Sequence, residues 1–133
     1  MERAFGPAPS AAEMEAIARA AYARLPADFT RHLGDVVMLV EDFADAQTLA
    51  EMGIEDAYEL TGLYEGLPLT ERSIEHSGTL PDKVRLFRLP ILLEWIERGD
   101  ETLEHLIAHV LIHEIGHHFG FSDEDMHALE ELA

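Results

Sequence analysis

Histidines are concentrated in one part of this chain. Six of the eight lie within residues 105–127 of a sequence of 133 residues. These six are His105, His109, His113, His117, His118 and His127. The sequence has no cysteine, which excludes disulfides, cysteine-ligated zinc or iron–sulfur sites, and thiol catalysis. Imidazoles and carboxylates remain as ligands for a transition metal, so we expect any metal chemistry to lie in this segment.

The longest predicted helix runs from Glu101 to Phe119 and is ended by Gly120. Within it, His113 and His117 are four residues apart, so their side chains lie one turn apart on one face and can reach one metal. Glu114 is rotated from them by about 100° and can touch a metal's water without being a ligand. Metal-assisted hydrolysis requires this division between ligands and a general base. The other apolar residues of the helix cover most of its circumference, which argues against a merely solvated stripe of polar residues.

A catalytic site of this kind needs a third protein ligand. Gly120 permits a tight turn after the helix, and Asp123 follows three residues later, so Asp123 is the expected ligand. His127 is the alternative if the last helix folds back. Asp123 has a simpler alternative role as a helix N-cap, a role that Ser122 could also fill.

The neighbouring polar and aromatic residues are expected to have structural roles rather than to bind a metal. His105 and His109 continue the four-residue spacing, but neither is followed by a glutamate, and we expect hydrogen-bonding side chains rather than ligands. His118 is expected to point away from the face that carries His113. Tyr64 is expected to be a half-buried aromatic residue of the sheet rather than a hydroxyl that acts in a cleft.

The rest of the chain predicts a single α+β domain over residues 1–133, with residues 1–9 loose. Three apolar segments predict a small sheet of about three strands, and four further segments predict helices. The strands are Val36 to Val40, Leu60 to Tyr64 and Val84 to Leu89. The helices begin at the Ser10–Glu13 capping box, at Asp45, at Pro90 and after Ser122-Asp123.

Charge limits the expected partners. Nine Lys and Arg residues oppose 27 Asp and Glu residues, for a net charge of −18. A surface this acidic repels phosphate backbones and anionic lipids. We therefore expect no nucleic-acid or membrane partner. The N-terminus has no apolar secretory core, and no apolar run approaches the ~20 residues of a membrane span. We therefore expect a cytoplasmic protein.

The segment from His109 to Met126 resembles the signature of the small bacterial zincin-like metallopeptidases, the mini-zincins. It reads His-Glu-x-x-His-x-x-Gly-x-x-Asp from His113 to Asp123. Three upstream segments are also similar to that family, so the resemblance spans roughly residues 29 to 130. They are Val40-Glu41-Asp42-Phe43, Gly62-Leu63-Tyr64-Glu65-Gly66 and Leu69-Thr70-Glu71-Arg72.

The resemblance implies a minimal zincin fold, with a small mixed sheet packed on an active-site helix and flanking helices. It also implies one zinc ion per chain on His113, His117 and Asp123, with Glu114 as general base, and a peptide or small amide as substrate. Some larger zincins take a glutamate from a later helix instead. Glu130 and Glu131 are present here, but the segment that connects them to His117 is short.

Two other functions are compatible with these residues. One is a non-catalytic metal-binding or interaction protein that keeps the zincin scaffold. The other is a zinc-buffering protein, which the clustered histidines would suit. Glu114 favours the enzyme, because storage needs ligands but no base beside the water. A buffer should also bind several metal ions per chain, whereas a catalytic site binds one.

Overall fold

A three-stranded mixed sheet and the long helix packed on it organise the fold. The computed structural model describes residues 7–30, 36–66 and 82–131. The first six residues of the predicted loose segment and the Leu69-Thr70-Glu71-Arg72 similarity lie outside them. The strands are β1 (Val36–Glu41), β2 (Gly62–Glu65) and β3 (Asp82–Phe87). The helices are α1 (Ala11–Ala23), α2 (Ala27–Thr30), α3 (Ala46–Met52), α4 (Arg88–Arg98), α5 (Leu103–Phe119) and α6 (Asp123–Glu130), with a 3₁₀ turn at Ala57–Glu59.

The sheet has the order β1-β3-β2, with β3 in the centre. β1 runs parallel to β3, and β2 runs antiparallel to it. The predicted α+β class with a small mixed sheet is therefore confirmed. None of the helices that the structure describes is long and apolar enough to cross a membrane.

The main core lies between one face of the sheet and helices α1 and α5. Alternate residues of β3, Val84 and Leu86, are fully buried there, as the two-residue period of a strand requires. Most of the circumference of α5 is buried, which confirms that the helix is central to the domain. Its buried residues are Leu103, Leu106, Ile107, Ala108, Val110, Leu111, Ile112, Ile115 and Gly116.

The opposite face of the sheet carries Arg85, which joins three separate elements. Its guanidinium bonds to Glu41 of β1 at 2.8 Å, Glu65 of β2 at 2.9 Å and Asp45 at 3.0 Å. Hydrogen bonds from Thr48 and Arg85 hold the pKa of the Asp45 carboxyl well below its usual range. One arginine with side-chain exposure of 12% thus holds together carboxylates that would otherwise repel one another in this acidic chain.

Several element boundaries follow the predicted capping residues. Ser10 and Glu13 form the expected capping box, and Asp45 accepts a hydrogen bond from the backbone of Thr48 at the start of α3. Gly53 ends α3 with a left-handed backbone, at φ 70°. These local signals correctly located the helix ends because each satisfies backbone groups that the helix leaves unpaired.

The boundaries around β3 were predicted less well. The strand ends at Phe87, whereas the apolar pattern extended it to Leu89. Helix α4 begins at Arg88, two residues before Pro90. A proline is tolerated within the first turn, because the backbone amides there have no partner inside the helix. Similarly, β2 spans Gly62–Glu65 instead of Leu60–Tyr64, and Leu60 ends the 3₁₀ turn before it.

Candidate metal centre

One edge of α5 carries a row of histidines at four-residue spacing. The ring centroids of His109 and His113 are 4.2 Å apart, and those of His113 and His117 are 5.7 Å apart. The predicted pair therefore lies on one face, one turn apart. His105 begins the row, but its Nδ1 bonds to Glu101 at 2.5 Å, as expected of a hydrogen-bonding side chain. The other three histidines of the row, His109, His113 and His117, therefore remain as candidate metal ligands.

The chain turns back along α5 after Gly120. This glycine has φ 75°, a left-handed conformation that favours glycine, and its amide bonds to the carbonyl oxygens of Gly116 and His117. The Ser122 side chain then caps α6 by accepting a hydrogen bond from the amide of Asp125. The last helix therefore folds back after a connection of only three residues.

A close approach between Gly116 and Met126 holds the two helices together. A Cβ at Gly116 would lie 2.3 Å from the Met126 sulfur, so only glycine leaves the room that this contact uses. Met126 is itself fully buried. The far end of α6 is consequently brought against the histidine row of α5.

Glu130, near the end of α6, contacts two histidines of that row. Its Oε1 is in hydrogen-bond contact with Nδ1 of His109 and lies 3.6 Å from Nε2 of His113. The side chain of Glu130 is only 10% exposed. Among the described residues, His109, His113 and Glu130 form a group whose possible ligand atoms all lie within 4.8 Å of one another. The short connection between the helices therefore does not keep Glu130 away from the histidines.

His117 and Asp123 lie nearby but are not members of this group. His117 is exposed in the last turn of α5, and Asp123 is exposed in the first turn of α6. Ser122 takes the capping role at that helix, so the cap does not require Asp123. Asp123 is close enough to raise the pKa of His113 through its charge. Its role as third ligand stays a prediction.

The other candidate residues have mainly structural environments. His127 is 76% exposed, with Nδ1 3.7 Å from Oε2 of Glu130. His118 packs on the ring of Tyr64 at 4.1 Å between centroids, and its buried Nε2 has no hydrogen-bond partner among the described residues. Tyr64 is 7% exposed and donates its hydroxyl hydrogen to Asp82. It is therefore more deeply buried than the half-buried aromatic residue we expected.

The imidazole of His113 is suited to bind a metal. Burial lowers its pKa, and the neighbouring His109 and His117 lower it further, while Glu130 and Asp123 act in the opposite direction. The net shift is downward, which favours the neutral ring at pH 7. A neutral imidazole has the nitrogen lone pair that coordination needs. The donor set thus fits a divalent transition metal.

Glu114 lies on the adjacent face of α5, against strand β2. A Cβ at Gly62 would lie 3.1 Å from Cγ of Glu114 and 2.9 Å from Cγ1 of Val110, so the side chain of Glu114 passes closely over this glycine. Burial raises the pKa of Glu114 to about 7. A carboxyl with a pKa near neutrality can both accept and release a proton at physiological pH.

Residues 33–132 match the model of a family described as zincin-like metallopeptidases. The chain belongs to this family. None of the curated proteins matches it. The family assignment covers α5, α6 and the whole described sheet, and it agrees with the resemblance that the motif predicted.

In this zincin-like domain, the structure groups His113, a ligand that the sequence predicted, with His109 and Glu130, which the sequence did not group with it. The available signal was the four-residue spacing of His109 and His113, which predicts two imidazoles on one face. No local pattern indicates Glu130, because it is 21 residues from His109 along the chain. Its position depends on the packing of Met126 against Gly116.

The buried carboxyl of Glu114 predicts a pH-dependent stability of the metal-free zincin-like domain. With a pKa of about 7 when folded and 4.5 as the ordinary value, the folded state keeps the proton more tightly than the unfolded state. The resulting penalty is absent below about pH 4.5, grows as the pH rises, and is complete above about 7. Glu114→Gln should therefore stabilise the fold at pH 8 by about 2 kcal/mol, and much less at pH 5, allowing for partial solvent access.

Urea denaturation at the two pH values, after treatment with a chelator, measures this difference. Glu97→Gln, at an exposed position of α4, is the matched control and should change the free energy of unfolding little at either pH. An equal gain for Glu114→Gln at pH 5 and pH 8 would contradict the assigned effect of burial.

Proposed function

We propose that this chain is a zinc-dependent metallopeptidase that hydrolyses a peptide or small amide bond. The observation that carries the proposal is the arrangement of α5. His113 and His117 lie one turn apart on one face, and Glu114 lies beside them between α5 and β2. Two imidazoles with a neighbouring carboxylate are the parts that metal-assisted hydrolysis needs.

His113, His117 and Asp123 would hold the zinc in this proposal. Asp123 is favoured over His127 because it lies at the turn that leaves α5 and because its charge acts on the imidazole of His113. When bound, zinc supplies Lewis acidity that polarises the scissile carbonyl and makes a water molecule more acidic. These three side chains would leave one position on the ion for water or substrate.

Glu114 moves the proton. Its carboxylate accepts a proton from the attacking water as the oxygen bonds to the carbonyl carbon. It then gives this proton to the amide nitrogen as the carbon–nitrogen bond breaks, so that an amine and a carboxylic acid leave. A pKa of about 7 suits both transfers near neutral pH. The close approach of its Cγ to Gly62 restricts the side chain, and this orients the carboxylate.

The net charge of −18 supports a cytoplasmic protein that acts on peptides rather than on nucleic acids or membranes. An acidic surface also favours cationic over anionic peptides, because the summed field of the protein attracts the former. The assay of cleavage therefore begins with a diverse peptide mixture.

Metal content and peptide cleavage together test the proposed function. Protein purified without an affinity tag should contain one zinc ion per chain by elemental analysis, and it should cleave members of a peptide library followed by mass spectrometry. Removal of the zinc with a chelator should stop cleavage, and one equivalent of zinc should restore it. Cleavage that persists in the metal-free protein would contradict the proposal, as would the binding of several zinc ions without cleavage.

A further inference from the structure

We propose that His109, His113 and Glu130 form a second transition-metal site, one helical turn before the His113–His117 pair, which competes with that pair for His113. This inference depends on the proposed function in one respect only, namely that the site with which the second site competes is the catalytic zinc site. The second set of ligands combines two turns of α5 with the end of α6.

The donor atoms already converge. Oε1 of Glu130 lies 3.6 Å from Nε2 of His113 and is in hydrogen-bond contact with Nδ1 of His109. The two rings lie 4.2 Å apart between centroids, at an interplanar angle of 33°. Ligand atoms bound to tetrahedral zinc at about 2.0–2.1 Å lie roughly 3.3 Å from one another. Small rotations of the two rings and the carboxylate would therefore bring all three donors onto one ion.

The chemistry of the three donors is also suitable. Two imidazoles and one carboxylate form a set that zinc and other first-row divalent metals accept. The Glu130 side chain is 10% exposed, and a largely enclosed carboxylate is stable only when it is hydrogen-bonded or paired with positive charge. A divalent ion between the carboxylate and the two rings would supply that charge in place of the hydrogen bond to His109.

The position of Glu130 is determined by helix packing rather than by a loose tail. Gly116 allows α6 to approach α5, and the fully buried Met126 fills the space between them. Glu130 lies one turn after Met126, on the same side of α6. The packing therefore preorganises the carboxylate opposite the histidine row, which lowers the entropic cost of binding a metal.

Competition follows because the neutral ring of His113 has a free lone pair on only one of its two nitrogens. Its Nε2 is the atom that is close to Glu130. The same ring is also half of the motif's pair, with His117 one turn further along α5. A nitrogen lone pair binds one metal at a time, so a metal held by His109 and Glu130 leaves the motif with His117 and Asp123 alone. One metal ion would thus occupy either the second site or the catalytic site, but not both at once.

Zinc affinities of two double variants test this arrangement. His117→Asn/Asp123→Ala removes two ligands of the proposed catalytic set, and His109→Asn/Glu130→Gln removes two ligands of the second set. Affinity is measured by competition with a chromophoric chelator, and circular dichroism checks the fold. We expect each double variant to bind one zinc ion per chain. Adding Glu130→Gln to the first double variant should weaken its binding by at least about 100-fold.

The outcomes separate the two hypotheses. If folded His117→Asn/Asp123→Ala binds no zinc, or if its binding is unchanged by Glu130→Gln, the second site is refuted and the proposed function is untouched. If folded His109→Asn/Glu130→Gln binds no zinc, the catalytic ligand set is refuted instead. Should a double variant not fold, cobalt(II) absorption decides the matter. Glu130→Gln alone should then change the visible spectrum of the cobalt protein, and an unchanged spectrum would refute the second site.

Discussion

Replacing Glu114 by glutamine is expected to lower kcat/KM for peptide hydrolysis by about 10²–10⁴-fold, the usual contribution of a general base. The amide has nearly the same shape as the carboxyl group and should fit between α5 and β2 without a clash. It cannot accept the proton of the attacking water, so the hydrolytic step loses its base. Zinc affinity should remain close to that of the unmodified protein, because Glu114 is not among the proposed ligands.

Steady-state kinetics on the best substrate from the peptide library, together with zinc titration, measures both effects. Glu104→Gln changes an exposed glutamate in the first turn of the same helix and is the matched control. It should leave kcat/KM within about twofold, because a surface substitution away from the site has little effect. Hydrolysis retained by Glu114→Gln would show that another group accepts the proton.

Local sequence signals were sufficient for most of the fold. The capping box at Ser10 and the caps at Asp45 and Ser122 each satisfy backbone groups within a few residues, so they can be recognised without tertiary information. The end of β3 at Phe87 could not be recognised in this way. The apolar pattern continues from β3 into the first turn of α4, which contains buried residues. Periodicity distinguishes a strand from a helix poorly over so few residues.

The candidate site likewise has residues that local sequence predicts and residues that it does not. His113, Glu114 and His117 are neighbours within one helix, so a spacing argument was enough to place them on adjacent faces. Glu130 reaches His109 only because Gly120 reverses the chain and α6 packs antiparallel to α5. The length of the connection suggested that a late glutamate was out of reach. Three residues between the helices are in fact enough, because α6 itself covers the return distance.

The position of the Glu114 side chain also depends on a contact that no motif encodes. Gly62 lies at the start of β2, and a Cβ there would approach Cγ1 of Val110 at 2.9 Å and Cγ of Glu114 at 3.1 Å. The valine is β-branched and stiff, and the backbone oxygen of Arg85 would lie 3.4 Å from the same Cβ. A side chain at Gly62 would therefore press on both Val110 and Glu114, and the unbranched glutamate side chain can rotate more readily than the valine.

Gly62→Val should accordingly reduce kcat by about 100-fold, the cost of displacing a catalytic group by roughly 1 Å. Overpacking between β2 and α5 should also lower the free energy of unfolding by about 1–3 kcal/mol. Zinc affinity should change little, because no proposed ligand contacts Gly62. Kinetics, urea denaturation and zinc titration on the same preparation measure the three quantities.

Leu63→Ala is the control that separates displacement of the Glu114 side chain from a general loss of folding stability. Leu63 lies on the same strand but packs against the smaller apolar cluster of Ala44, Leu60 and Phe87. Its truncation should cost a similar free energy of unfolding, about 2 kcal/mol, while kcat stays within a few-fold because Glu114 is not displaced. If Leu63→Ala lowers kcat as much as Gly62→Val does, then general destabilisation explains both variants. The close contact at Gly62 would then have no specific role in orienting the base.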